Sequence, residues 1–343
     1  MNKKIIYISV LALFAIGGII GFNFYQKIFG TAVKKDGAIY IGSNYHLIDV
    51  KKLLTEYINK PENFVWVAEK KKFTKPKGGK YLLKKGMNMN DVVNLLRSGN
   101  QTPVKVAFNN QDSLEKLAGR IAQQIEADST ALIKAFTDAN FLTKNNFTEK
   151  SALGMYIPNS YELYWNTSAE KFRDKMLREY NRFWNTSRLE KAKKQNLTPQ
   201  EVITLASIVH KETVQKSERP TVAGLYLNRL RDGWPLEADP TIIYAKQQQD
   251  KSIVIKRVLF KYIEETKNSP YNTYKNRGLP PTLIAMPDIS AVDAVLNPRK
   301  HNYYFMCASV DKIGFHDFTN SLAQHNRNAA KYQRWINQQG IKK

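Results

Sequence analysis

Glu212 is the residue whose type and position most favour acid catalysis in this chain. In the segment 198–212, apolar residues recur at helical spacing and line one face: Val202, Leu205, Ala206 and Val209. Glu212 falls on the same stripe. A carboxyl group placed there loses water, which raises its pKa toward the range where it can donate a proton near neutral pH. The structural alternative is a helix-terminal glutamate that faces solvent or pairs with Lys216.

The beginning of that helix is also marked in the sequence. Thr198 has the type of an N-cap, Pro199 suits the first helical position, and Glu201 stands where a capping box requires an acid. The pattern therefore predicts a helix that starts at Pro199 and carries Glu212 near its end.

Several segments after Glu212 are rich in polar, aromatic and turn-forming residues. A second helix is expected in TVAGLYLNRLRDG, and four further segments follow it, three of them loop-like: EADPTIIYA, SPYNTYKNRGLPP, NPRKHNYYFMCAS and GFHDFTNSLAQHNR. Polar and aromatic side chains displayed on loops are typical of a carbohydrate site. His316 in the last segment is a candidate for the wall of such a site or an ordinary hydrogen-bonded histidine, and residues 278–281, GLPP, are expected to fix a loop.

These motifs together resemble the YceG-like family of endolytic murein transglycosylases. The matching strings are ASI-x-x-K-E-T, S-E-R, N-R-L, DPT-x-x-Y, YNTY-x-x-x-GLPP and a late NP, and they extend from Leu197 to about Tyr332. The resemblance implies cleavage of the β-1,4 bond between N-acetylmuramic acid and N-acetylglucosamine inside a glycan strand. It also implies action beside peptidoglycan synthases on nascent strands.

The resemblance places Glu212 on the family's catalytic glutamate. Further motif positions are expected to bind substrate or to brace that acid: Glu218, Asn228, Asp239, Tyr271, Asn272 and Tyr274. Each has a structural alternative, since Asp239-Pro240 is a turn signal and Asn272 can cap a loop. The chain departs from the family at His210, where an acidic residue is common.

A lytic transglycosylase needs one acid where a hydrolase generally needs two carboxylates. The acid protonates the leaving oxygen, and its carboxylate then takes the proton of the muramic C6 hydroxyl, which closes on C1. Neither a cofactor nor a metal is expected. Cys307 is the only cysteine, and the chain has no HExxH, GxSxG or GxxxxGK[ST] motif.

The N-terminal segment predicts a membrane anchor. Residues 5–26 are 22 consecutive uncharged residues, and about 20 helical residues cover a hydrocarbon core of roughly 30 Å. Lys3 and Lys4 precede them, so the positive-inside tendency places residues 1–4 in the cytoplasm. The chain after Lys27 is then expected on the outer, periplasmic face of the cell (inner) membrane. The alternative is a signal peptide cleaved near Thr31-Ala32-Val33.

The remaining chain predicts an α+β protein in three parts. Residues 36–102 resemble a small LysM-like βα module, with a helix over 47–58 and a second helix capped by Asn90 and closed by Gly99. Residues 103–196 are expected to form a mixed connecting subdomain that ends in a helix over 169–195. Residues 197–343 are expected to form the catalytic domain.

The composition limits the classes of molecule that the protein is expected to bind. The formal charge of +23 and the pI near 9.8 favour polyanions, which include nucleic acid, anionic lipid and wall polymers. A membrane-tethered nucleic-acid binder is disfavoured because basic residues are mixed with acids along the chain and no RRM or zinc-finger signature occurs. Peptidoglycan glycan strands are the expected partner. The main rival is a non-catalytic glycan-binding scaffold, which would not need an acid on an apolar helix face.

Overall fold

The computed structural model describes residues 3–338 and confirms a mixed α+β protein. The chain groups into two compact units. The first comprises residues 1–106, 122–127 and 161–168, and the second comprises residues 107–121, 128–160 and 169–343. The predicted cytoplasmic segment 1–4 and the predicted catalytic domain each extend beyond the described residues, at 1–2 and 339–343.

Helix α1 (Lys3–Phe29) opens the first unit. Its apolar side chains are exposed along its length, including Leu11 at 71% and Phe14 at 78%. By length and composition, Lys4–Phe29 can cross a membrane. A helix with apolar residues on every side requires an apolar solvent or a partner.

The rest of the first unit is a βααβα arrangement. Strands β1 (Gly37–Ile41) and β2 (Gly79–Leu83) pair antiparallel with Ile39 opposite Tyr81. Helices α2 (Leu47–Leu54) and α3 (Glu62–Lys70) lie between them in sequence, and α4 (Met89–Ser98) follows. Apolar side chains from all these elements form one core, whose largest fully buried members include Tyr81, Phe64, Ile41 and Leu54.

Three local predictions for this unit need correction. The helix predicted over 47–58 ends at Leu54, and α3 was not predicted. The N-cap of α4 is Asn88 instead of Asn90: its side chain accepts a hydrogen bond from the amide of Asp91, whose carboxylate bonds back to complete a capping box. The predicted C-cap is confirmed, because Gly99 is left-handed with φ 72°. The LysM-like character of the module stays a prediction.

The second unit begins with elements that surround an aromatic core. Strand β3 (Val104–Phe108) pairs with β4 (Asn159–Leu163), and the residues of both strands are divided between the two units. Helices α5 (Leu114–Ala122), α6 (Ser129–Phe136) and α7 (Ala139–Lys144) precede a 3-10 turn at Ala152–Met155. Phe136 packs on Tyr156 and Phe172, with ring centroids 4.7 and 6.0 Å away. Tyr156 therefore belongs to the aromatic core of this unit.

The single helix predicted over 169–195 is two helices, α8 (Ala169–Phe183) and α9 (Thr186–Lys194). Asn185 breaks the run because its side chain caps α9 by accepting from the amide of Arg188. A short polar residue can bond to nearby backbone groups in this way and compete with helix continuation.

The remaining helices gather around α10 (Pro199–Glu212). Helices α11 (Arg219–Arg231), α12 (Asp239–Gln249) and α14 (Ile289–Leu296) all pack against it. Helix α13 (Phe260–Glu265), the antiparallel hairpin of β5 (Phe305–Ala308) and β6 (His316–Thr319), and α15 (Leu322–Gln338) complete the unit. The buried side of α10 therefore forms the centre of this helical core.

Candidate active site

The predicted helix that carries Glu212 is confirmed together with both of its boundary signals. Thr198 caps α10, and its side chain accepts a hydrogen bond from the amide of Glu201. The Glu201 carboxylate in turn accepts a hydrogen bond from the amide of Thr198. Val202, Leu205, Ala206 and Val209 are all buried. Glu212 is the last residue of α10, so the buried stripe ends in a carboxyl group.

Glu212 is bonded to a buried tyrosine instead of to Lys216. The Tyr226 hydroxyl, on α11, donates to Glu212 Oε1 at 2.6 Å, and Tyr226 is only 1% exposed. Burial raises the pKa of Glu212 to about 7, which outweighs the opposing effect of the Tyr226 bond. The pKa of Tyr226 is itself raised well above its usual value by burial, so Tyr226 remains a donor. The solvent-facing alternative for Glu212 is therefore wrong.

Two charged groups also influence Glu212. The charge of Asp239 raises the pKa of Glu212, and the charge of His316 lowers it. Asp239 begins α12, where its carboxylate accepts a hydrogen bond from the Tyr274 hydroxyl at 2.5 Å. Burial raises the pKa of Asp239 despite this bond. Asp239 and Tyr274 thus belong to the surroundings of Glu212.

Glu218 pairs with His316. The backbone N–H of His316 donates to Glu218 Oε1 at 2.7 Å, and its ring Nδ1 lies 2.9 Å from Glu218 Oε2. Burial favours neutral Glu218, but the two bonds from His316 outweigh it and lower the pKa of Glu218. Burial would also lower the pKa of His316, yet the bond to Glu218 and the nearby Glu212 carboxylate raise it. The pair is held in its ionic form.

Three predicted site residues make hydrogen bonds within the protein: Tyr271, Asn272 and Asn228. Asn272 is fully buried, donates to the carbonyl of Ile263, and accepts from the backbone amides of Tyr274 and Lys275. The Tyr271 hydroxyl lies 2.7 Å from Thr282 Oγ1. Asn272 therefore fixes the turn that presents Tyr274.

Asn228 binds the chain just before β5. Its Nδ2 donates to the carbonyls of His301 and Tyr303 at 3.0 and 3.1 Å. The neighbouring Arg229 donates from Nε to the carbonyl of Tyr304 at 2.7 Å and from Nη1 to Glu237 at 2.8 Å. Both side chains connect α11 to the segment before β5, and Arg229 also connects it to the loop between α11 and α12.

His210 lies in the last turn of α10 and faces a separate polar cluster. Its Nδ1 is 3.4 Å from Asp288 Oδ2, and Asp288 pairs with the buried Arg219 at 2.5 Å. Although burial opposes it, the Arg219 bond lowers the pKa of Asp288 to about 2. Burial lowers the pKa of His210. The residue that departs from the family pattern therefore helps to join α10, α11 and α14.

Tyr226 was not singled out from the sequence. Within TVAGLYLNRLRDG it looks like one more apolar helix residue, and its partner lies 14 positions away on another helix. The one indication in the sequence was its residue type, because a tyrosine hydroxyl that is buried needs a hydrogen-bond partner. Among residues 3–338, no group of three or more His, Cys, Asp or Glu side chains is arranged to hold a metal ion.

The geometry defines a half-buried, protonatable carboxyl group that is bonded to a buried tyrosine and lies near ion-paired groups. Comparison with known proteins assigns the chain to a family. A family model described as the YceG-like family matches residues 39–331. The chain belongs to the YceG-like family.

Relatives of known name agree with this assignment. The endolytic murein transglycosylase of Bacillus subtilis is 30% identical over 271 residues, which cover 74% of this chain and 72% of the relative. The endolytic murein transglycosylase of Streptococcus pneumoniae strain D39 is 26% identical; the match covers 95% of this chain but only 64% of that protein. A crystal structure of a yceG-like protein from Listeria monocytogenes has TM-score 0.57 and 25% identity, and covers 85% of this chain and 98% of that one.

Proposed function

We propose that this protein is an endolytic peptidoglycan lytic transglycosylase with Glu212 as its acid. The observation that carries the proposal is the half-buried Glu212 carboxyl group, whose pKa is raised to about 7 and whose orientation is held by Tyr226. A group with this pKa is populated both as donor and as acceptor near neutral pH. The family membership supplies the substrate class, peptidoglycan.

The reaction follows from a single carboxyl group. Protonated Glu212 gives its proton to the oxygen that links muramic C1 to N-acetylglucosamine, and the C1–O bond breaks. The muramic C6 hydroxyl oxygen then bonds to C1 and gives its proton to the Glu212 carboxylate. Glu212 is thereby restored, no water is consumed, and the strand ends in 1,6-anhydro-N-acetylmuramic acid.

The surrounding residues have supporting roles in this proposal. Asp239 and Tyr274 face the carboxyl group and are proposed to contact sugar. Glu218 holds His316 in its charged form, which stabilises the Glu212 carboxylate after proton transfer. Asn228, Tyr271 and Asn272 position these groups through their backbone and side-chain bonds.

The location and biological role extend the proposal. Helix α1 anchors the protein in the cell membrane with its N-terminus in the cytoplasm, so that residues 36–102, 103–196 and 197–343 lie outside as LysM-like, connecting and catalytic parts. An enzyme held there meets new glycan strands as they leave the membrane. It therefore acts on nascent strands beside their synthases and limits strand length.

Mass spectrometry of glycan products tests this function. Detergent-solubilised full chain would be incubated with uncrosslinked nascent glycan and compared with Glu212→Gln and with Glu190→Gln, a control at an exposed glutamate on α9. We expect internal fragments with 1,6-anhydro ends from the wild type and the control only. Reducing ends would indicate a hydrolase, and a complete absence of products would favour the glycan-binding scaffold.

A further inference from the structure

The last turns of α1 pack onto the helices that follow it in the first unit. The Phe24 ring stacks on the Trp66 ring of α3, with centroids 5.5 Å apart and planes 24° apart. Ile28 packs against the core of the unit, and α1 contacts both α3 and α4. The end of the anchor helix therefore sets the position of Trp66.

The chain after α1 enters the core instead of forming a free linker. Ala32 and Val33 are buried, and their backbone amides both donate to the carbonyl of Met87 at 2.9 Å. The carbonyl of Val33 accepts from the amide of Gly86 at 3.0 Å. These backbone hydrogen bonds join the segment that follows α1 to the core of the first unit.

The length of the apolar helix places this junction at the membrane surface. The 26 residues of Lys4–Phe29 extend about 39 Å at 1.5 Å per residue, against a hydrocarbon thickness of roughly 30 Å. The excess carries the final turns, with Phe24 and Lys27, into the headgroup layer. Tryptophan is enriched at that depth because its ring is apolar and its N–H is polar.

Positive charge surrounds Trp66. Lys27 Nζ lies 5.6 Å and Lys70 Nζ lies 5.8 Å from the centre of the Trp66 ring. From residue 70 to residue 80 the sequence KKKFTKPKGGK has six lysines and no acid. None of these six forms an ion pair with a carboxylate in the part of the chain that the structure describes. Their charge is therefore available to an external anion.

We propose that Trp66 with Lys27, Lys70, Lys71 and Lys72 forms a surface that binds anionic phospholipid headgroups of the membrane that α1 crosses. We call it the headgroup surface. The inference rests on the proposed anchor and does not depend on the proposed chemistry. Lipid is favoured over other polyanions because the surface is continuous with the helix that enters the bilayer. Such binding holds the first unit against the membrane instead of letting it pivot.

Quenching of Trp66 by brominated lipids tests the proposal. The full chain would be placed in bilayers of phosphatidylcholine mixed with phosphatidylglycerol, with bromine on one lipid or the other near its headgroup. The contribution of Trp66 is the difference between wild type and Trp66→Phe. The ratio of quenching by the two lipids gives the preference of the surface for the anionic one.

We expect phosphatidylglycerol to be preferred at Trp66 by about five-fold, the effect of one well-placed lysine. Substitution of Lys70, Lys71 and Lys72 by Gln should remove the preference. The matched control replaces Lys191, Lys193 and Lys194 of α9 by Gln, which makes the same charge change in the second unit, and should retain it.

Four outcomes would overturn the inference. Equal quenching by both lipids would mean no anionic preference, and loss of preference in the α9 control would mean a general charge effect. Competition by inorganic phosphate beyond that of chloride at equal ionic strength would indicate a free-phosphate site. Absence of quenching by either lipid would refute the anchor as well, whereas glycan cleavage measured on the same samples reports separately on the proposed function.

Discussion

Glu212 and Glu218 are six positions apart and have opposite protonation behaviour. Glu212, at the end of α10, receives one neutral hydrogen bond from Tyr226, and burial raises its pKa to about 7. Glu218, just before α11, receives two bonds from His316, and its pKa is lowered. Burial raises the pKa of both groups, but only at Glu218 do the bonds from His316 outweigh it.

This difference in pKa gives the two glutamates different roles in the proposed reaction. A carboxyl group with a raised pKa can act as the acid, while one with a lowered pKa is ionised near neutral pH and can hold a histidine charged beside it. Glu212 and Glu218, at the two ends of the short connection between α10 and α11, therefore lie in different electrostatic environments. Substitutions that remove one donor at a time should separate their roles.

The largest expected effect is on activity in Glu212→Gln. The amide cannot give or take the proton, so the rate of 1,6-anhydro product formation should fall by about a thousand-fold or more. Stability should move in the other direction. Because the folded-state pKa of Glu212 is raised, the wild type loses stability as pH rises from about 4.5 to about 7, and the amide avoids that loss.

Chemical denaturation of both proteins at pH 5 and pH 8 checks the second half of this prediction. The Gln variant should gain clearly more stability relative to wild type at pH 8 than at pH 5, because only the first part of the loss has occurred at pH 5. An equal gain at both values would contradict the assignment of the raised pKa to Glu212.

Glu218→Gln should instead destabilise the protein. The substitution leaves His316 without its carboxylate, and loss of a buried charge-assisted bond costs about 2 kcal/mol. The free energy of unfolding at pH 6 should therefore fall. The pair contributes above the lowered pKa of Glu218 and below the raised pKa of His316, so the difference from wild type should shrink at pH 10. A constant difference across this range would show that the pair is not ionic.

Tyr226→Phe tests the single bond to Glu212. Loss of one hydrogen bond to the reacting group should lower kcat/KM by about ten-fold. Because that bond lowers the pKa of Glu212, its removal should move the alkaline limb of the pH profile to higher pH. A lower rate with an unmoved limb would mean that Tyr226 acts only in packing. Tyr180→Phe, at a buried tyrosine on α8, is the matched control for loss of a hydroxyl.

The sequence predicted the parts of this site that depend on local patterns. The Thr198 cap, the helix to Glu212 and the buried stripe all follow from spacing within fifteen residues. The contacts between distant segments did not follow. Tyr226 lies on another helix, and His316 is 98 positions from Glu218, so nothing local links them. Family motifs identified Glu218 and Tyr274 as important without showing what each one touches.

Fold predictions failed for a related reason. The break between α8 and α9 depends on one asparagine cap in an otherwise continuous charged run, and helical periodicity does not register it. Helix α3 has a mixed sequence, ENFVWVAEK, whose helical form is favoured by burial of Phe64, Val67 and Ala68 in the core. Tertiary packing commonly overrides weak local preference in this way.

Asp239→Asn should have the smallest effect and should move the pH profile opposite to Tyr226→Phe. The charge of Asp239 raises the pKa of Glu212, so its removal should shift the alkaline limb of kcat/KM to lower pH and reduce activity several-fold above pH 7 while sparing it at pH 5. Tyr274→Phe is the graded comparison. Its hydroxyl bond lowers the pKa of Asp239 and keeps it charged, so this variant should shift the limb in the same direction by less. If Asp239→Asn and Tyr226→Phe moved the limb the same way, the Asp239 carboxylate and the Tyr226 hydroxyl would not act in opposite directions on the pKa of Glu212.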